Sequence, residues 1–255
     1  MTLWTQSSGS GDELLLIHGW GMNAAVWLPL ARELEKEYRV TLVELPGHGK
    51  SPWDAATGLE SWAEQVLDVA PARAIWLGWS LGGLVMQQAA QLRPQKLRAL
   101  VGMATSPCFV QQNDWPYAMP AAVLENFATE LTTNTRKTLR RFLALQVQGA
   151  TDARPLLLAL RKSLEERPEP EPDALKTGLA LLLHSDLRQQ LTDLELPLCW
   201  MLGERDTLVP KSLATALPAY RPGMQLHVIQ GAAHAPFLSH LPQVVARLKG
   251  FVRHV

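Results

Sequence analysis

The sequence predicts an α/β fold: a mostly parallel, doubly wound sheet with an inserted helical cap. Short apolar runs alternate with helical patterns in both halves of the chain, which is typical of parallel sheets. One of these runs ends in Gly-x-Ser-x-Gly at 78–82, and a helical pattern follows it. Between 107 and 184 the alternation stops, and helical patterns alone remain. We therefore predict a core domain formed by 1–106 and 185–255, with 107–184 inserted as a cap.

Composition limits the possible partners. The chain has 255 residues and is 47% hydrophobic, so it can bury a full core. Its formal net charge is zero, so we expect no overall electrostatic attraction to nucleic acid or to an anionic membrane. Its two cysteines are too few for a disulfide framework or a thiolate metal site. The sequence shows no signal peptide and no apolar run of membrane-spanning length. We expect a cytoplasmic monomer without metal or organic cofactor.

The first half of the chain supplies most of the predicted sheet. Runs such as Leu14–Ile17 are apolar without alternation, as expected of strands buried on both faces. Asn23 is a predicted helix cap. The first two strands are predicted to pair as a β-hairpin. The predicted strands are 2–6, 13–17, 39–44, 74–79 and 97–104, and the predicted helices are 23–37, 59–69 and 81–92.

The second half contains the predicted cap and the end of the sheet. A Pro-Glu repeat at 168–172 forces a break between the last two cap helices, because proline interrupts a helix and restricts the residue before it. The cap helices are predicted at 121–131, 136–146, 153–164 and 173–183. The α/β pattern then resumes with strands at 198–202 and 225–229 and helices at 211–217 and 242–251.

Ser80 is the predicted nucleophile. In a nucleophile elbow the serine occupies a sharp strand-to-helix turn, and the flanking glycines leave room where any side chain would collide. Gly78 and Gly82 fit this requirement, and the start of the following helix favours negative charge near Ser80. A tight Gly-Ser turn is the ordinary alternative, but it leaves the remaining motifs unexplained.

A serine hydroxyl needs a base and a group that orients the base. In folds that contain a nucleophile elbow, the serine, the acid and the histidine follow one another in that order along the chain, each after a strand. Asp206 follows the strand ending at 202, and His234 follows the strand ending at 229. Asp206 has an alternative role as a helix cap or turn residue. Glu204 is the fallback acid, although it begins two residues earlier.

Acyl transfer also requires hydrogen-bond donors for the oxyanion. The backbone N–H of Leu81, directly after the nucleophile, is one candidate. The turn 18–21, at the end of a predicted strand, offers the N–H of Trp20 as the second. The alternative is that this His-Gly sequence forms only a turn.

Two features of the cap point to a substrate. The segment 142–146 contains apolar residues that can line an acyl pocket or simply pack in the core. Between 136 and 162 seven cations face one acid, a local excess of +6 that is either a solvated helical surface or an attraction for an acidic partner. The cations are Arg136, Lys137, Arg140, Arg141, Arg154, Arg161 and Lys162.

These motifs resemble a known family. Over its whole length the chain is similar to the α/β-hydrolase superfamily, which implies the α/β-hydrolase fold. More narrowly, it resembles the carboxylesterases of bacterial biotin synthesis, which remove the methyl group from pimeloyl-[acyl-carrier protein] methyl ester. The matching segments are His18–Gly21, Ile75–Leu84, Ser106–Phe109, Arg141–Gln146 and Ala232–Phe237.

The resemblance implies a role for each motif. It implies a catalytic triad of Ser80, Asp206 and His234, with Trp20 and Leu81 as oxyanion donors. It implies that Ser80, His234, Trp20 and Leu81 also contact the substrate. Further substrate contacts are implied for Phe142, Leu143, Ala144, Leu145 and Gln146. It also implies that Lys137, Arg141 and Arg154 hold the carrier protein. The sequence departs from the family pattern at Leu158 and Lys137, where arginine is expected, and Arg161 or Lys162 can compensate.

The sequence therefore predicts a serine carboxylesterase acting on the methyl ester of a pimeloyl chain attached to its carrier protein. The first alternative is a broad-specificity short-chain carboxylesterase or lactonase that acts on small molecules without a protein partner. The second is a binding protein on a hydrolase scaffold, which the intact serine, aspartate and histidine set disfavours.

Overall fold

A computed structural model describes residues 2–55 and 58–255. Within these residues, seven strands form one sheet in the order β1-β3-β2-β4-β5-β6-β7. All neighbouring pairs are parallel except β1 with β3. The predicted α/β class with a mostly parallel sheet is confirmed. The strands are β1 (Thr5–Ser8), β2 (Glu13–Ile17), β3 (Arg39–Val43), β4 (Ala74–Trp79), β5 (Leu97–Met103), β6 (Leu198–Gly203) and β7 (Gln225–Ile229).

Helices cover both faces of the sheet, and a group of them lies in the chain between β5 and β6. The helices that precede this group or belong to it are α1 (Leu28–Leu34), α2 (Leu59–Val69), α3 (Leu81–Leu92), α4 (Ala121–Thr133), α5 (Thr135–Gln146), α6 (Ala153–Glu165) and α7 (Pro172–His184). The last helix of the group is α8 (Arg188–Asp193), and the helices after β6 are α9 (Leu213–Tyr220), α10 (Pro236–Ser239) and α11 (Leu241–Val252).

The core forms two apolar layers, one on each face of the sheet. Alternate residues of the central strands enter different layers: Trp76 of β4 packs in the layer with α2 and α3, whereas Ile75 and Leu77 pack in the layer with α1 and α11. Every residue of β4 and β6 is buried. This two-sided burial explains why both strands are almost continuously apolar in sequence.

The predicted β-hairpin between 2–6 and 13–17 is wrong. β1 instead pairs antiparallel with β3, with Thr5 opposite Val43. Both edges of β2 are already occupied by parallel partners, β3 on one side and β4 on the other. No edge of β2 therefore remains for β1, which extends the sheet beyond β3.

The predicted helix from 23 to 37 is shorter and begins differently. Asn23 does cap the segment, since its side chain accepts from the N–H of Ala25 at 2.9 Å. The first turn, Ala24–Trp27, is a 3₁₀ helix, and the α-helix begins at Leu28. Pro29 explains the change, because it has no N–H to donate to the preceding turn. No helix in the described part of the chain is long and apolar enough to span a membrane.

Candidate active site

Ser80 lies alone between the last residue of β4 and the first residue of α3. Its φ of 53° and ψ of −119° are sparsely populated for a residue with a side chain. Close packing holds this turn: a Cβ on Gly82 would lie 2.5 Å from the carbonyl oxygens of Ile17 and His18. The Ser80 N–H donates to the Met103 carbonyl at 3.1 Å. The structure thus places the serine on the strained turn that the sequence predicted.

His234 and Asp206 meet at the carboxyl ends of β7 and β6. The Nδ1 of His234 lies 2.8 Å from the Oδ2 of Asp206, and both side chains are buried. The other carboxylate oxygen, Oδ1, accepts from the N–H groups of Leu208 at 2.8 Å and Val209 at 2.9 Å. A carboxylate that can only accept fixes the proton on Nδ1. The Nε2 of His234 is therefore left as the basic atom.

The basic Nε2 is buried and has no hydrogen-bond partner among the described residues. The backbone holds the ring next to the elbow, since the His234 carbonyl accepts from the indole N–H of Trp79 at 2.8 Å. The rings of Trp79 and His234 have centroids 5.7 Å apart. Ser80 follows Trp79 directly. The structure shows no Ser80–His234 hydrogen bond, and such bonds in hydrolytic sites often tighten only around the substrate.

Glu204, the alternative acid, is used elsewhere. Its Oε2 accepts from the Gly231 N–H at 3.0 Å, and its Oε1 lies 3.5 Å from the Nζ of Lys211. The Gly231 hydrogen bond, followed by the positive charge of Lys211, lowers the pKa of Glu204. The carboxylate thus organises the turn before His234 and makes no contact with the imidazole.

Two backbone N–H groups near Ser80 are unused: that of Trp20, in the turn after β2, and that of Leu81, the first residue of α3. Neither the backbone N–H of Trp20 nor that of Leu81 donates a hydrogen bond to another residue of the described chain. Gly19 lies against the serine, since a Cβ there would be 3.2 Å from the Ser80 Cβ. Two free backbone donors beside a serine are the arrangement that an oxyanion requires.

His18 anchors this turn and takes no part in proton transfer. Its ring donates to the Gly19 carbonyl at 2.8 Å and accepts from the Leu45 N–H at 3.0 Å. Complete burial, together with the neighbouring His48, lowers the pKa of His18 to about 3. The imidazole is therefore neutral, and it ties the turn to the loop after β3.

Residues of α5 and α7 cover the site. The indole N–H of Trp20 donates to the Leu175 carbonyl of α7 at 2.8 Å, and its ring packs against Phe142 of α5 with centroids 4.7 Å apart. Gly178 of α7 lies so near that a Cβ would be 2.7 Å from the Trp20 ring. Sequence reasoning missed Leu175 and Gly178, although a glycine within an apolar helical pattern signals close packing. Ser80 is only 3% exposed beneath this cover.

The segment predicted to contact the substrate divides between two environments. Phe142, Leu143 and Gln146 are buried, whereas Ala144 is exposed and Leu145 is intermediate. Gln146 reaches the site, because its carbonyl accepts from the His234 N–H at 3.1 Å. The structure therefore brings Phe142 and Gln146 to the candidate site and leaves Ala144 on the outer face of α5.

The five cations implied for carrier binding are all on the surface of α5 and α6. They are Lys137, Arg141, Arg154, Arg161 and Lys162. Arg141 is already engaged: it forms an ion pair with Glu130 of α4, and its guanidinium lies 5.1 Å from the centroid of the Phe127 ring. None of the other four forms an ion pair with a residue of the described chain.

Comparison with known proteins identifies the family. A profile of the alpha/beta hydrolase family matches residues 14–248. The chain belongs to this family. The hydrolase is 43% identical over 239 residues to the pimeloyl-[acyl-carrier protein] methyl ester esterase of Klebsiella pneumoniae subsp. pneumoniae, covering 93% of each chain. It is 39% identical over 252 residues to the enzyme of that name from Aliivibrio salmonicida, covering 99% of this chain and 96% of the relative.

Solved structures that resemble this hydrolase include proteins that are more distant in sequence. An esterase from Exiguobacterium antarcticum superposes with a TM-score of 0.88 at 20% identity, covering 98% of this chain and 95% of the other. At that identity the similarity establishes the fold alone. The relatives of higher identity confirm the resemblance to the carboxylesterases of biotin synthesis.

Proposed function

We propose that this hydrolase is a serine carboxylesterase that removes the methyl group from pimeloyl-[acyl-carrier protein] methyl ester in biotin biosynthesis. One observation carries the reaction type: a buried imidazole, oriented by Asp206 at 2.8 Å, has a free Nε2 beside the strained Ser80 turn. The names of relatives at 39–43% identity over nearly the whole chain support the substrate.

The reaction begins when the Ser80 oxygen attacks the ester carbonyl and His234 Nε2 takes its proton. Asp206 stays ionised and stabilises the imidazolium. The N–H groups of Trp20 and Leu81 donate to the oxyanion. Collapse of the tetrahedral intermediate expels methanol, which takes the proton from His234, and leaves an acyl-enzyme on Ser80. A water molecule gives a proton to His234 and attacks the acyl-enzyme, which forms a second tetrahedral intermediate. Its collapse breaks the bond to the Ser80 oxygen, which takes the proton back from His234, and the free carboxylate is released.

The cap, residues 107–184, is proposed to hold the rest of the substrate. Of the segment 142–146, Phe142 and Gln146 line the path of the acyl chain next to the reacting ester, because these two residues reach the site. The carrier protein is acidic, so it docks on the exposed basic surface of α5 and α6, which includes Lys137, Arg141, Arg154, Arg161 and Lys162. The enzyme acts as a cytoplasmic monomer.

Replacing the nucleophile tests the proposal. Ser80→Ala should lower kcat by about 10⁶, the size of loss seen when a triad serine is removed elsewhere. The measurement is methanol release from the carrier-bound methyl ester, with Ser212→Ala, at an exposed serine, as the control. A fluorophosphonate probe should label the wild type at Ser80 alone.

Growth without biotin tests the substrate. In a bacterial strain lacking its own pimeloyl-ester demethylating enzyme, the wild type should restore growth and Ser80→Ala should not. A well-expressed wild type that hydrolyses small methyl esters yet fails to restore growth would contradict the carrier-bound substrate. That result would favour a broad-specificity esterase or lactonase instead.

A further inference from the structure

Thr105 places a buried hydroxyl group against the nucleophile elbow. It lies just after β5, the strand beside β4 in the sheet, and its side chain has no exposed surface. Its Oγ1 donates a hydrogen bond to the carbonyl oxygen of Ser80 at 2.7 Å. The two residues are 25 positions apart in the chain, so the folded sheet brings them together.

The surroundings of Thr105 hold its side chain in this position. Ala104 has a φ of 44°, in the left-handed region, and its N–H donates to the Met201 carbonyl at 2.8 Å. The Thr105 carbonyl accepts from the indole N–H of Trp200 at 3.0 Å. On the other side, a Cβ on Gly83 would lie 2.5 Å from the Thr105 Cβ, so the start of α3 packs directly on the threonine.

The carbonyl that accepts this hydrogen bond belongs to the same peptide group as a candidate oxyanion donor. The C=O of Ser80 and the N–H of Leu81 lie in one planar, trans peptide, so they point in opposite directions. Fixing the direction of the oxygen therefore fixes the direction of the N–H. On the other side of the serine, the Ser80 N–H donates to the Met103 carbonyl at 3.1 Å. The end of β5 thus holds the peptide groups both before and after Ser80.

The Ser80 carbonyl also accepts from the Gly83 N–H at 2.9 Å. That bond belongs to the first turn of α3, whereas the Thr105 hydroxyl reaches the oxygen from a neighbouring strand. Hydrogen bonds in a chain polarise one another, so a carbonyl that accepts an additional bond makes the N–H of its peptide a stronger donor. The hydroxyl therefore affects both the direction and the strength of the Leu81 N–H.

We infer that Thr105 is a positioning residue for the oxyanion site. Its hydroxyl orients and polarises the Ser80–Leu81 peptide, and so it stabilises the tetrahedral intermediate without touching the substrate. This inference rests on the part of the proposed function in which Ser80 is the nucleophile and the Leu81 N–H binds the oxyanion. It does not depend on which ester is the natural substrate.

Removing the hydroxyl tests the inference. The substrate is dimethyl pimelate, a methyl ester that lacks the carrier protein. Thr105→Val should lower kcat about 10- to 30-fold, less than the 10²–10³-fold loss typical when an oxyanion donor is removed entirely, because the Leu81 N–H remains. Its KM should stay within about twofold of the wild-type value, since the lost stabilisation acts only in the transition state.

Three further variants separate the hydroxyl from the packing around it. Thr105→Ser keeps the hydroxyl and should retain kcat within about threefold. Thr105→Ala removes the hydroxyl without adding a methyl group beside the carbonyl, so it should show the same loss as Thr105→Val and replaces that variant if it does not fold. Thr41→Val removes another buried hydroxyl, which lies 2.8 Å from the Ser7 Oγ at the β1–β3 edge, and should leave kcat unchanged.

A trifluoromethyl ketone provides a readout that packing alone would not change. The Ser80 oxygen adds to its carbonyl carbon, the serine proton passes to His234, and the adduct carries an oxyanion where the intermediate would have one. The inhibition constant should rise in Thr105→Ala and Thr105→Val by the factor by which kcat/KM falls. It should keep its wild-type value in Thr105→Ser and Thr41→Val.

The outcomes distinguish failure of the positioning role from failure of the proposed function. An unchanged kcat in Thr105→Ala, or equal losses in Thr105→Ala and Thr105→Ser, would overturn the positioning role alone. If Ser80→Ala still hydrolysed dimethyl pimelate, the proposed mechanism and the positioning role would both be wrong. A wild type active on dimethyl pimelate and inactive on the carrier-bound ester would overturn only the proposed substrate.

Discussion

Asp206 and Glu204 are carboxylates two positions apart, and the fold gives them different tasks. Asp206 is buried and holds the Nδ1 of His234, whereas Glu204 accepts from the Gly231 N–H and lies near Lys211. Both follow β6, and the sequence favoured Asp206 only because Glu204 begins two residues earlier. The separation comes from two backbone donors, Leu208 and Val209, which hold the Asp206 side chain in the turn.

Asp206→Asn should therefore lower kcat by about 10⁴, because an amide in this position no longer fixes the proton on Nδ1. The matched variant Glu204→Gln changes the neighbouring carboxylate in the same way and should lower kcat less than about tenfold, since it disturbs only the turn before His234. Steady-state hydrolysis of dimethyl pimelate by the two variants distinguishes them. A larger loss in Glu204→Gln would exchange the roles of the two acids.

At the scale of elements, the segment between α6 and α7 is joined to the loop after β3 by an ion pair whose carboxylate is fully buried. Glu44, directly after β3, is fully buried and accepts from the Arg167 guanidinium at 3.2 Å and from the N–H groups of Ala24 and Lys50. Arg167 lies between α6 and α7, is 15% exposed and stacks over Trp4. The same carboxylate thus holds both the start of the 3₁₀ helix at Ala24 and the segment between α6 and α7.

Arg167→Met should lower the free energy of unfolding by about 3 kcal/mol, because it leaves the Glu44 charge buried without its cation. Methionine retains the apolar contact with Trp4. The double variant Glu44→Gln/Arg167→Met should recover part of this loss, since no buried charge remains. Arg136→Met removes the exposed pair with Glu169 and should cost less than about 1 kcal/mol. Urea unfolding measures the free energy of unfolding of each variant. Similar losses for Arg167→Met and Arg136→Met would show that the Glu44–Arg167 ion pair contributes no more than an exposed pair.

Local patterns predicted the elements better than their pairing. The strand–turn–helix at Ser80 was predictable because the glycines, the strand and the helix are consecutive in sequence. The pairing of β1 with β3 was not, because it depends on which edges of β2 are occupied by strands more distant in the chain. The 3₁₀ turn before Leu28 could have been predicted from Pro29 alone.

At the scale of the whole molecule, zero net charge conceals an uneven distribution. The basic surface of α5 and α6 was visible in the sequence as a run of cations. The sequence could not show which of them are free, since that depends on partners such as Glu130 and Glu169 in other elements. The sequence could not show the approach of Leu175 and Gly178 to Trp20 for the same reason, because it depends on how α7 packs against the turn after β2.

Two buried histidines make the stability of the whole fold depend on pH. Burial, with the neighbouring His48, lowers the pKa of His18 to about 3, and burial lowers the pKa of His48 to about 4. Both side chains are fully buried and stay neutral in the folded protein, whereas in the unfolded chain they bind protons below about pH 6.5. The unfolded state therefore gains protons first on acidification, and the free energy of unfolding falls as the pH decreases from 6.5 towards 4.

Each histidine should contribute a slope of about 1.4 kcal/mol per pH unit across that window. His48→Phe keeps a ring against Trp62 and removes one of the two groups, so its slope should be shallower than that of the wild type by about this amount. His254→Gln changes an exposed histidine near the end of the chain and should leave the slope as it is. Urea unfolding between pH 6.5 and 4.5 gives the three slopes. If the free energy of unfolding has the same slope against pH in His48→Phe and in the wild type, His48 takes up its proton in the folded state as readily as in the unfolded chain.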